Sequence, residues 1–172
     1  MIPFMIDLTD KPVLIAGGGA VAVRRLKLFL RENARITVIS PEADGEIQEL
    51  HAKGLLEWKQ RPFALDDLTG YLLVVAATDD REVNKSIAVN ANPLQLVNIA
   101  DEAMEGNTQV PSHASKGRLT LAVHTGGASP ARAREICIAL LNEIEEGTID
   151  ELDTLYEERR EKKRSKRKYE DL

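Results

Sequence analysis

The chain has few residues of the kinds that mark secreted or membrane proteins. It contains one cysteine in 172 residues, so no disulfide can form within it, and neither Cys137 nor any histidine has the spacing of a metal-ligand motif. No apolar run approaches the roughly 18 residues that span a bilayer, and the first residues lack the basic start of a secretory leader. We therefore expect a cytoplasmic protein with no metal site and no membrane partner.

Acidic residues are absent from one long stretch, although the net charge of the whole chain is −5. The overall negative charge argues against a nucleic-acid partner. Between residues 106 and 134 there is no Asp or Glu, but the stretch contains Lys116, Arg118, Arg132 and Arg134. A locally positive segment in an acidic chain predicts a binding site for an anionic ligand.

Aromatic side chains are also scarce, at 4%, so the core must consist mainly of Val, Ile, Leu and Ala. Runs of these residues predict strands at residues 13–16, 34–40, 55–60, 71–77 and 96–99. Helical spacing predicts helices at 21–32, 47–53 and 80–91, with Asp79 or Asp80 placed to cap the third. Apolar strands that alternate with helices predict an α/β fold of the Rossmann type, with a doubly wound parallel sheet.

The pattern changes after residue 101 and predicts a small α+β segment. Residues 119–123 predict one more strand, and Ser129-Pro130 predicts a helix that runs to about residue 146 and stops at Gly147. A last helix is expected from Ile149, with a basic tail. The chain is thus divided into residues 1–110, 111–146 and 147–172. Because the strand at 119–123 lies outside the main sheet and needs a partner, the second part is predicted to form a homodimer interface.

The first predicted strand leads into a glycine-rich turn and the start of a helix: Gly17, Gly18, Gly19, Ala20, Val21 and Ala22. Three of them, Gly17, Gly19 and Ala22, match the G-x-G-x-x-(G/A) spacing of dinucleotide-binding turns. The glycines permit a tight turn and a close approach of the backbone to a pyrophosphate, and the helix N-terminus attracts its negative charge. All six residues are therefore predicted to bind NAD or NADP.

The tip of the second predicted strand lacks the acidic residue that usually binds the ribose hydroxyls of NAD. Ser40-Pro41-Glu42 stands there instead. Ser40 could hydrogen-bond the ribose, whereas Arg24 and Arg25 could tolerate the 2′-phosphate of NADP. These residues leave the choice between NAD and NADP open.

Polar residues also follow the fourth and fifth predicted strands, at the edge where doubly wound sheets bind ligands. Thr78 and Asp79 follow the fourth strand and are predicted to contact the cofactor, although Asp79 could instead be a loop or capping residue. Asp101 follows the fifth strand and leads into the acid-free stretch. It is either a solvated loop carboxylate or a proton acceptor in catalysis.

A second glycine turn, Gly126-Gly127, lies between the predicted strand at 119–123 and the helix capped by Ser129. Such a helix N-terminus can also bind an anion. With the basic stretch, it predicts the following substrate-binding residues: His113, Lys116, Arg118, His124, Thr125, Gly126, Ser129 and Arg132. Either histidine could instead have a structural role.

These segments, in this order and at this spacing, resemble the siroheme synthase N-terminal domain family, which comprises precorrin-2 dehydrogenases that are often also sirohydrochlorin ferrochelatases. The resemblance covers nearly the whole chain and is closest to the stand-alone bacterial form. It rests on these motifs: Gly17-Gly18-Gly19-x-Val21-Ala22-x-Arg24-Arg25, Ala76-Ala77-Thr78-Asp79, Val83-Asn84, Val97-Asn98, Asp101, Pro111 and Thr125-Gly126-Gly127-x-Ser129-Pro130-x-Arg132-Ala133-Arg134.

The resemblance implies an NAD-dependent oxidation of precorrin-2 to sirohydrochlorin in siroheme synthesis, with ferrochelatase activity left open. It implies a homodimer whose second segments intertwine and a role for Asp101 in the chemistry. An anionic tetrapyrrole also suits the acid-free stretch by charge. Residues 1–110 are then the NAD(P)-binding domain and 111–146 the dimerisation and substrate segment.

Two other functions are compatible with the glycine turn alone. A non-enzymatic NAD(H) sensor would have no use for the basic stretch and would more often carry a DNA-binding module. A different small dehydrogenase of the short-chain type would have a Tyr-x-x-x-Lys pair, but neither Tyr71 nor Tyr156 is followed by lysine four residues on.

Overall fold

A computed structural model describes the backbone of residues 1–170 and the side chains of residues 1–164. The chain forms two compact units, Met1–Gln109 and Val110–Leu172. Among the residues described, no helix is both long enough and apolar enough to cross a membrane.

The first unit is built on a parallel sheet of five strands. The strands are β1 (Pro12–Ala16), β2 (Arg35–Ile39), β3 (Glu57–Lys59), β4 (Leu73–Ala76) and β5 (Leu96–Ile99). Their order across the sheet is β3-β2-β1-β4-β5, and every neighbouring pair is parallel. All carboxyl ends therefore meet at one edge, and the predicted α/β fold with a Rossmann-type sheet is confirmed.

Three helices connect these strands: α1 (Ala20–Arg31), α2 (Gly45–Ala52) and α3 (Arg81–Asn90). Helix α1 buries an apolar stripe, Ala22, Val23, Leu26 and Phe29. The apolar side chains of β1, β4 and β5, including Leu14, Val74 and Val97, pack with Ile87 of α3 in the core. Asp44 caps α2 and Asp80 caps α3, so of the two predicted caps of α3 it is Asp80 that accepts hydrogen bonds from the Glu82 and Val83 amides.

The strand β3 is shorter than the predicted segment of residues 55–60. It pairs only with β2, through the three partners Thr37–Ile39, and lies at the edge of the sheet. Of the two leucines just before the strand, Leu56 is buried and Leu55 is 54% exposed, so only part of the apolar sequence at this point is matched by burial.

The opposite edge strand, β5, is covered by a side chain rather than by another strand. Asn107 accepts a hydrogen bond from the Val97 amide at 2.7 Å and donates one to the Gln95 carbonyl at 2.7 Å. The Thr108 amide donates to the Val97 carbonyl at 3.0 Å. The amide of Asn107 thus replaces a peptide group of a neighbouring strand and satisfies backbone groups that an edge leaves open.

The second unit contains a β-hairpin and two helices. The hairpin is formed by β6 (Ser112–Lys116) and β7 (Leu119–Val123), which are antiparallel, and it is followed by α4 (Pro130–Asn142) and α5 (Glu146–Glu170). The strand predicted at 119–123 is confirmed. Its partner β6 was not predicted, because its sequence Ser-His-Ala-Ser-Lys has neither β-branched nor large apolar residues. A strand of the same chain, and not one of a second subunit as predicted, therefore pairs with β7.

The boundary between the two helices differs from the predicted one. Helix α4 ends at Asn142 instead of near residue 146, and Gly147 lies in the first turn of α5 instead of ending α4. The Glu143 amide bonds back to the Ala139 and Leu141 carbonyls, which closes the last turn without a glycine. The predicted start of α4 is confirmed, since Ser129 is its N-cap and Pro130 its first residue.

Candidate active site

The glycine turn joins β1 to α1 at the carboxyl edge of the sheet. Gly17 has a φ of +115°, and a side chain there would overlap the carbonyl group of Ala77 and come within 2.9 Å of the Thr78 nitrogen. At Gly18 a side chain would overlap the Glu42 carbonyl oxygen and come within 2.9 Å of the Ala43 Cα. These two glycines are required because the loops after β4 and β2 lie directly against the turn.

The third glycine borders open space. Gly19 is the N-cap of α1, and apart from its two chain neighbours no heavy atom of the described residues lies within 4 Å of the position of a Cβ there. No side chain caps this helix, its first turn contains no acidic residue, and Ala20 and Val21 are exposed there. An uncapped helix N-terminus with free space in front of it fits the pyrophosphate of a dinucleotide.

Ser40 follows β2 and is buried beside this turn. Its hydroxyl donates a hydrogen bond of 2.5 Å to the Glu42 carbonyl, and its own carbonyl accepts one of 3.1 Å from Nε1 of Trp58. The hydroxyl hydrogen is therefore committed to the loop, and a ribose could use only the lone pairs of the Ser40 oxygen. Of the two polar side chains in Ser40-Pro41-Glu42, that of Glu42 is exposed.

The loop after β4 is held by a buried amide that was not among the predicted site residues. Asn84 of α3 accepts a hydrogen bond from the Thr78 amide at 3.1 Å and donates one to the Thr78 carbonyl at 3.0 Å. The Thr78 hydroxyl lies 2.8 Å from Oδ1 of Asn84. Thr78 is thus fixed at the site, while Asp79 is exposed and its side chain has no hydrogen-bond partner among the described residues. The sequence offered one signal for this role of Asn84, since it is a polar residue on the buried, otherwise apolar face of α3.

Asp101 lies just beyond β5 at the same edge of the sheet, and its carboxylate is about two-fifths exposed (41%). Arg81, the first residue of α3, places Nη1 3.5 Å from the Asp101 carboxylate and Nη2 2.5 Å from that of Glu105. The hydrogen bond that Arg81 donates to Glu105 and the charges of both carboxylates raise the pKa of Arg81 above its usual range. Asp101 therefore shares a cation with Glu105 and is held more loosely than Glu105 is.

Arg24 and Arg25 occupy different environments on α1. Arg24 is exposed, whereas Arg25 is partly buried, and its Nε has no hydrogen-bond partner among the described residues. Burial, and secondarily the charge of Arg24, lowers the pKa of Arg25 below its ordinary value. Of the two cations predicted to tolerate a 2′-phosphate, only Arg24 has its side chain in solvent.

In the second unit, several predicted substrate-binding residues meet at the N-terminus of α4. The Thr125 hydroxyl accepts a hydrogen bond of 3.2 Å from the Ser129 amide, and Oγ of Ser129 accepts one of 3.1 Å from the Arg132 amide. The Gly126 amide lies 3.3 Å from Nδ1 of His124. Gly126 and Gly127 both have positive φ, +64° and +87°, which the turn requires.

The basic residues of the acid-free stretch do not form one patch. Lys116 and Arg118 flank the tip of the hairpin, where Lys116 pairs with Glu146 at 2.8 Å and Arg118 with Asp153 at 2.9 Å. The guanidinium of Arg118 also stacks 3.5 Å from the centre of the Tyr156 ring. These two cations hold α5 against the hairpin, at the opposite end of β7 from His124.

The remaining two predicted substrate residues are exposed. His113 lies on β6 opposite Ala122, with Nδ1 3.3 Å from the Pro111 carbonyl. Arg132 forms an ion pair of 2.8 Å with Glu135 on the surface of α4. In the part of the chain that the structure describes, no group of three or more His, Cys, Asp or Glu residues is arranged to hold a metal ion.

Comparison with known proteins identifies relatives over almost the full length. A family model described as "Putative NAD(P)-binding" matches residues 4–112. A precorrin-2 dehydrogenase of Bacillus subtilis is 38% identical over 94% of this chain and 100% of its own length. That of Priestia megaterium is 41% identical over 91% of this chain and 78% of its own. A solved structure of a precorrin-2 dehydrogenase, SirC, superposes with a TM-score of 0.78 at 41% identity, covering 91% of this chain and 78% of that one.

Proposed function

Since this chain belongs to the precorrin-2 dehydrogenase family, we propose that it oxidises precorrin-2 to sirohydrochlorin with NAD+ in siroheme synthesis. The observation that carries the proposal is the uncapped N-terminus of α1, which follows Gly19 and faces open space. It occurs in a chain that matches a precorrin-2 dehydrogenase over the whole length of that enzyme. The reaction removes one hydride and one proton from precorrin-2. NAD+, when bound, accepts the hydride.

The residues of the first unit would bind and orient the dinucleotide. The amides at the head of α1 suit the pyrophosphate, and the Thr78 loop forms the adjoining wall because Asn84 holds it in place. An enzyme of this kind contributes mainly by orientation, since the hydride chemistry belongs to the cofactor.

Asp101 is the residue we propose to accept the proton. It follows β5 at the carboxyl edge of the sheet, where doubly wound folds bind ligands, and its carboxylate reaches solvent. The Arg81 contact of 3.5 Å is long enough that a carboxylate oxygen can still accept a hydrogen bond from a substrate. Arg81 would act as a positioning residue for this carboxylate.

The anionic tetrapyrrole is proposed to bind the second unit at the N-terminus of α4. The turn of Gly126 and Gly127, the helix N-terminus and the exposed Arg134 provide positive charge there. Arg132 is exposed as well, but it is paired with Glu135 at 2.8 Å. Lys116 and Arg118 contribute less to this proposal than the sequence suggested, because both are already paired with acids of α5.

We also propose that the enzyme is a cytoplasmic homodimer that associates through the second unit. A two-stranded hairpin is marginally stable alone, and exposed apolar side chains lie on both helices beside it, among them Ile138, Leu140 and Leu155. Cys137, the single cysteine, is buried and free, as suits a reducing compartment.

The test is direct incubation of the purified protein with precorrin-2 and NAD+. We expect NADH and sirohydrochlorin to appear together, in equal amounts, with no product when NAD+ is omitted. Formation of NADH without sirohydrochlorin, or no turnover by a protein that binds NAD+, would contradict the assignment of substrate. Ferrochelatase activity is tested separately, by adding Fe2+ to the finished reaction and measuring whether siroheme forms.

A further inference from the structure

We propose that a cavity at the amino edge of the parallel sheet is a second binding site, for a free amino acid with a large apolar side chain. The cavity has a volume of about 640 Å³, within the range of small-molecule sites. It lies at the edge of the sheet opposite the glycine turn and is formed by the first unit alone. The inference therefore does not depend on the proposed dinucleotide site or on the proposed reaction.

The walls of the cavity are the first residues of neighbouring strands and the two loops that lead into β3 and β4. Pro12 begins β1, and residues 35–37 begin β2. Each loop turns at a glycine with positive φ, +70° at Gly54 and +90° at Gly70. Apart from its chain neighbours, no heavy atom of the described residues lies within 4 Å of a Cβ at either glycine. Both loops therefore border open space at this edge.

Two opposite charges lie on the same face of the sheet in this cavity. Thr37 of β2 pairs with Glu57 of β3, and the Thr37 hydroxyl donates a hydrogen bond of 3.2 Å to Oε2 of Glu57. Arg35 precedes Thr37 by two residues and therefore points to that face as well. From the rise per residue and the distance between strands, the Cα atoms of Arg35 and Glu57 are roughly 8 Å apart. Their long side chains can reach the carboxylate and the ammonium group of one amino acid.

Each charged side chain keeps atoms that a ligand can use. Nε of Arg35 donates to the Asp10 carbonyl at 2.9 Å, whereas its two Nη atoms have no hydrogen bond or ion pair among the described residues. A guanidinium fixed in this way can bind a carboxylate with paired hydrogen bonds. On Glu57, Oε2 accepts from Thr37 and lies 3.8 Å from Nζ of Lys59, so Oε1 remains for an ammonium group.

The rest of the lining favours a ligand with an apolar body and a single carboxylate. Leu55 lines the cavity and is 54% exposed, and Pro12 and the partly buried ring of Tyr71 line it too. An apolar side chain that covers Leu55 removes apolar surface from water. Among the described residues, Arg35 is the one cation that lines the cavity. A second carboxylate on the ligand would therefore find no partner and would be repelled by Glu57.

The experiment measures melting temperatures and then dissociation constants by titration calorimetry, with L-leucine, L-methionine, L-phenylalanine and L-tryptophan as test compounds. We expect at least one of them to raise the melting temperature at millimolar concentration, and L-glutamate to have no effect. The best of the four should bind at least tenfold more weakly to Arg35→Gln and to Glu57→Gln, because each variant removes a charged partner. Its N-acetyl derivative, which has no ammonium group, and its amide, which has no carboxylate, should lose affinity to the same extent.

Arg31→Gln and Glu49→Gln are the matched controls. Both residues are exposed on helices and neither lines the cavity: Arg31 ends α1, and Glu49 pairs only with Lys53 at 3.7 Å. The affinity of each control variant should equal that of the unmodified protein. Melting of the unliganded variants shows whether they are folded, and Glu57→Gln leaves the contact between Arg35 and the Asp10 carbonyl intact if Arg35→Gln is unstable.

NAD+ separates the outcomes, because its proposed site lies at the other edge of the sheet. The affinity for the amino acid should be the same with and without saturating NAD+, and displacement by NAD+ would overturn the assignment to this cavity. If the protein binds the amino acid but not NAD+, the proposed function fails and this inference stands. The inference is overturned if none of the four compounds binds, or if the control variants lose as much affinity as Arg35→Gln and Glu57→Gln.

Discussion

The three consecutive glycines of the turn are the same residue type, but they have different surroundings and therefore different roles. Gly17 and Gly18 are enclosed by the backbones of the loops after β4 and β2, whereas Gly19 faces free space. The first two are therefore needed by the fold, and we propose that the third is needed by the dinucleotide. Substitutions at the two kinds of position should separate stability from binding.

We expect Gly17→Ala to destabilise the protein by about 3 kcal/mol, because a side chain is strained at positive φ and overlaps the Ala77 carbonyl. Gly19→Val should leave the melting temperature nearly unchanged but abolish NAD+ binding, since its side chain would fill the space for the pyrophosphate. Thermal unfolding and calorimetry check the two variants side by side. Equal NAD+ affinity in Gly19→Val and the unmodified protein would remove the cofactor assignment.

The second prediction at the scale of a residue concerns Asp101. Asp101→Asn keeps the shape of the side chain but cannot accept a proton, so turnover of precorrin-2 should fall by about 10² to 10⁴ while NAD+ binding is retained. Rates of NADH formation under saturating NAD+ provide the measurement. Asp66→Asn, which removes another exposed carboxylate from the same unit, is the control.

The possible results for Asp101→Asn distinguish three roles. Normal oxidation with loss of metal insertion alone would assign Asp101 to a chelatase reaction. If the variant retained both oxidation and metal insertion, Asp101 would be a loop carboxylate held by Arg81. In Arg81→Gln, slower turnover with unchanged NAD+ affinity is expected, because the contact of 3.5 Å that positions the Asp101 carboxylate is lost.

At the scale of the secondary-structure elements, β5 shows how a sheet can end without another strand. The side-chain amide of Asn107 bonds to Gln95 and Val97 in the manner of a peptide group. Two of the backbone groups on this edge of β5 consequently depend on one side chain.

We expect Asn107→Ala to lower the free energy of unfolding by about 2 kcal/mol, because it removes two hydrogen bonds to partly buried backbone groups and leaves those groups unsatisfied. It also removes an exposed hydrogen bond from the Thr108 hydroxyl. Chemical denaturation of the purified variant measures this change. Asn90→Ala loses one exposed side-chain bond, to the Ser86 carbonyl at the end of α3, and should change stability by less than about 0.5 kcal/mol. Similar losses in both variants would show that Asn107 is an ordinary surface residue.

The sequence predicted those elements whose signals are local. The limits of β5 and β7 and the Ser129 cap of α4 follow from apolar runs and capping residues, and each is confirmed. The strand β6 was missed because its pairing with β7, rather than its own residues, makes it a strand. Arg81 was missed for a similar reason, since its partners Asp101 and Glu105 are about 20 residues away and only the fold brings them together.

At the scale of the whole molecule, the acid-free stretch shows how a charge pattern is changed by folding. As a sequence it is continuous, but the hairpin places Lys116 and Arg118 at one end of β7 and His124 at the other. The acids of α5 then neutralise the first pair. The pattern therefore indicated a charged surface but overestimated how many cations could serve one ligand.

Association of two chains is the prediction that belongs to this scale. Light scattering should give the mass of a dimer at micromolar concentration, and Leu140→Glu should shift it toward the monomer, because Leu140 is exposed on α4 of the second unit at 47%. Leu94→Glu is the matched control, since Leu94 is 88% exposed in the first unit. A monomeric mass at every concentration, or the same shift in both variants, would contradict the proposed interface.

The hydrogen bond from Trp58 to Ser40 gives the molecule an optical probe of its own. Trp58 is the single tryptophan of the chain, and its indole donates to the carbonyl of Ser40, which begins the loop between β2 and α2. Its ring also meets that of His51 edge to face, with centroids 6.2 Å apart. Because indole emission depends on hydrogen bonding and on nearby rings, movement of this loop would change the fluorescence of the unlabelled protein. One intrinsic chromophore thus reports on the loop that bonds to the glycine turn through the Asp44 amide and the Gly18 carbonyl.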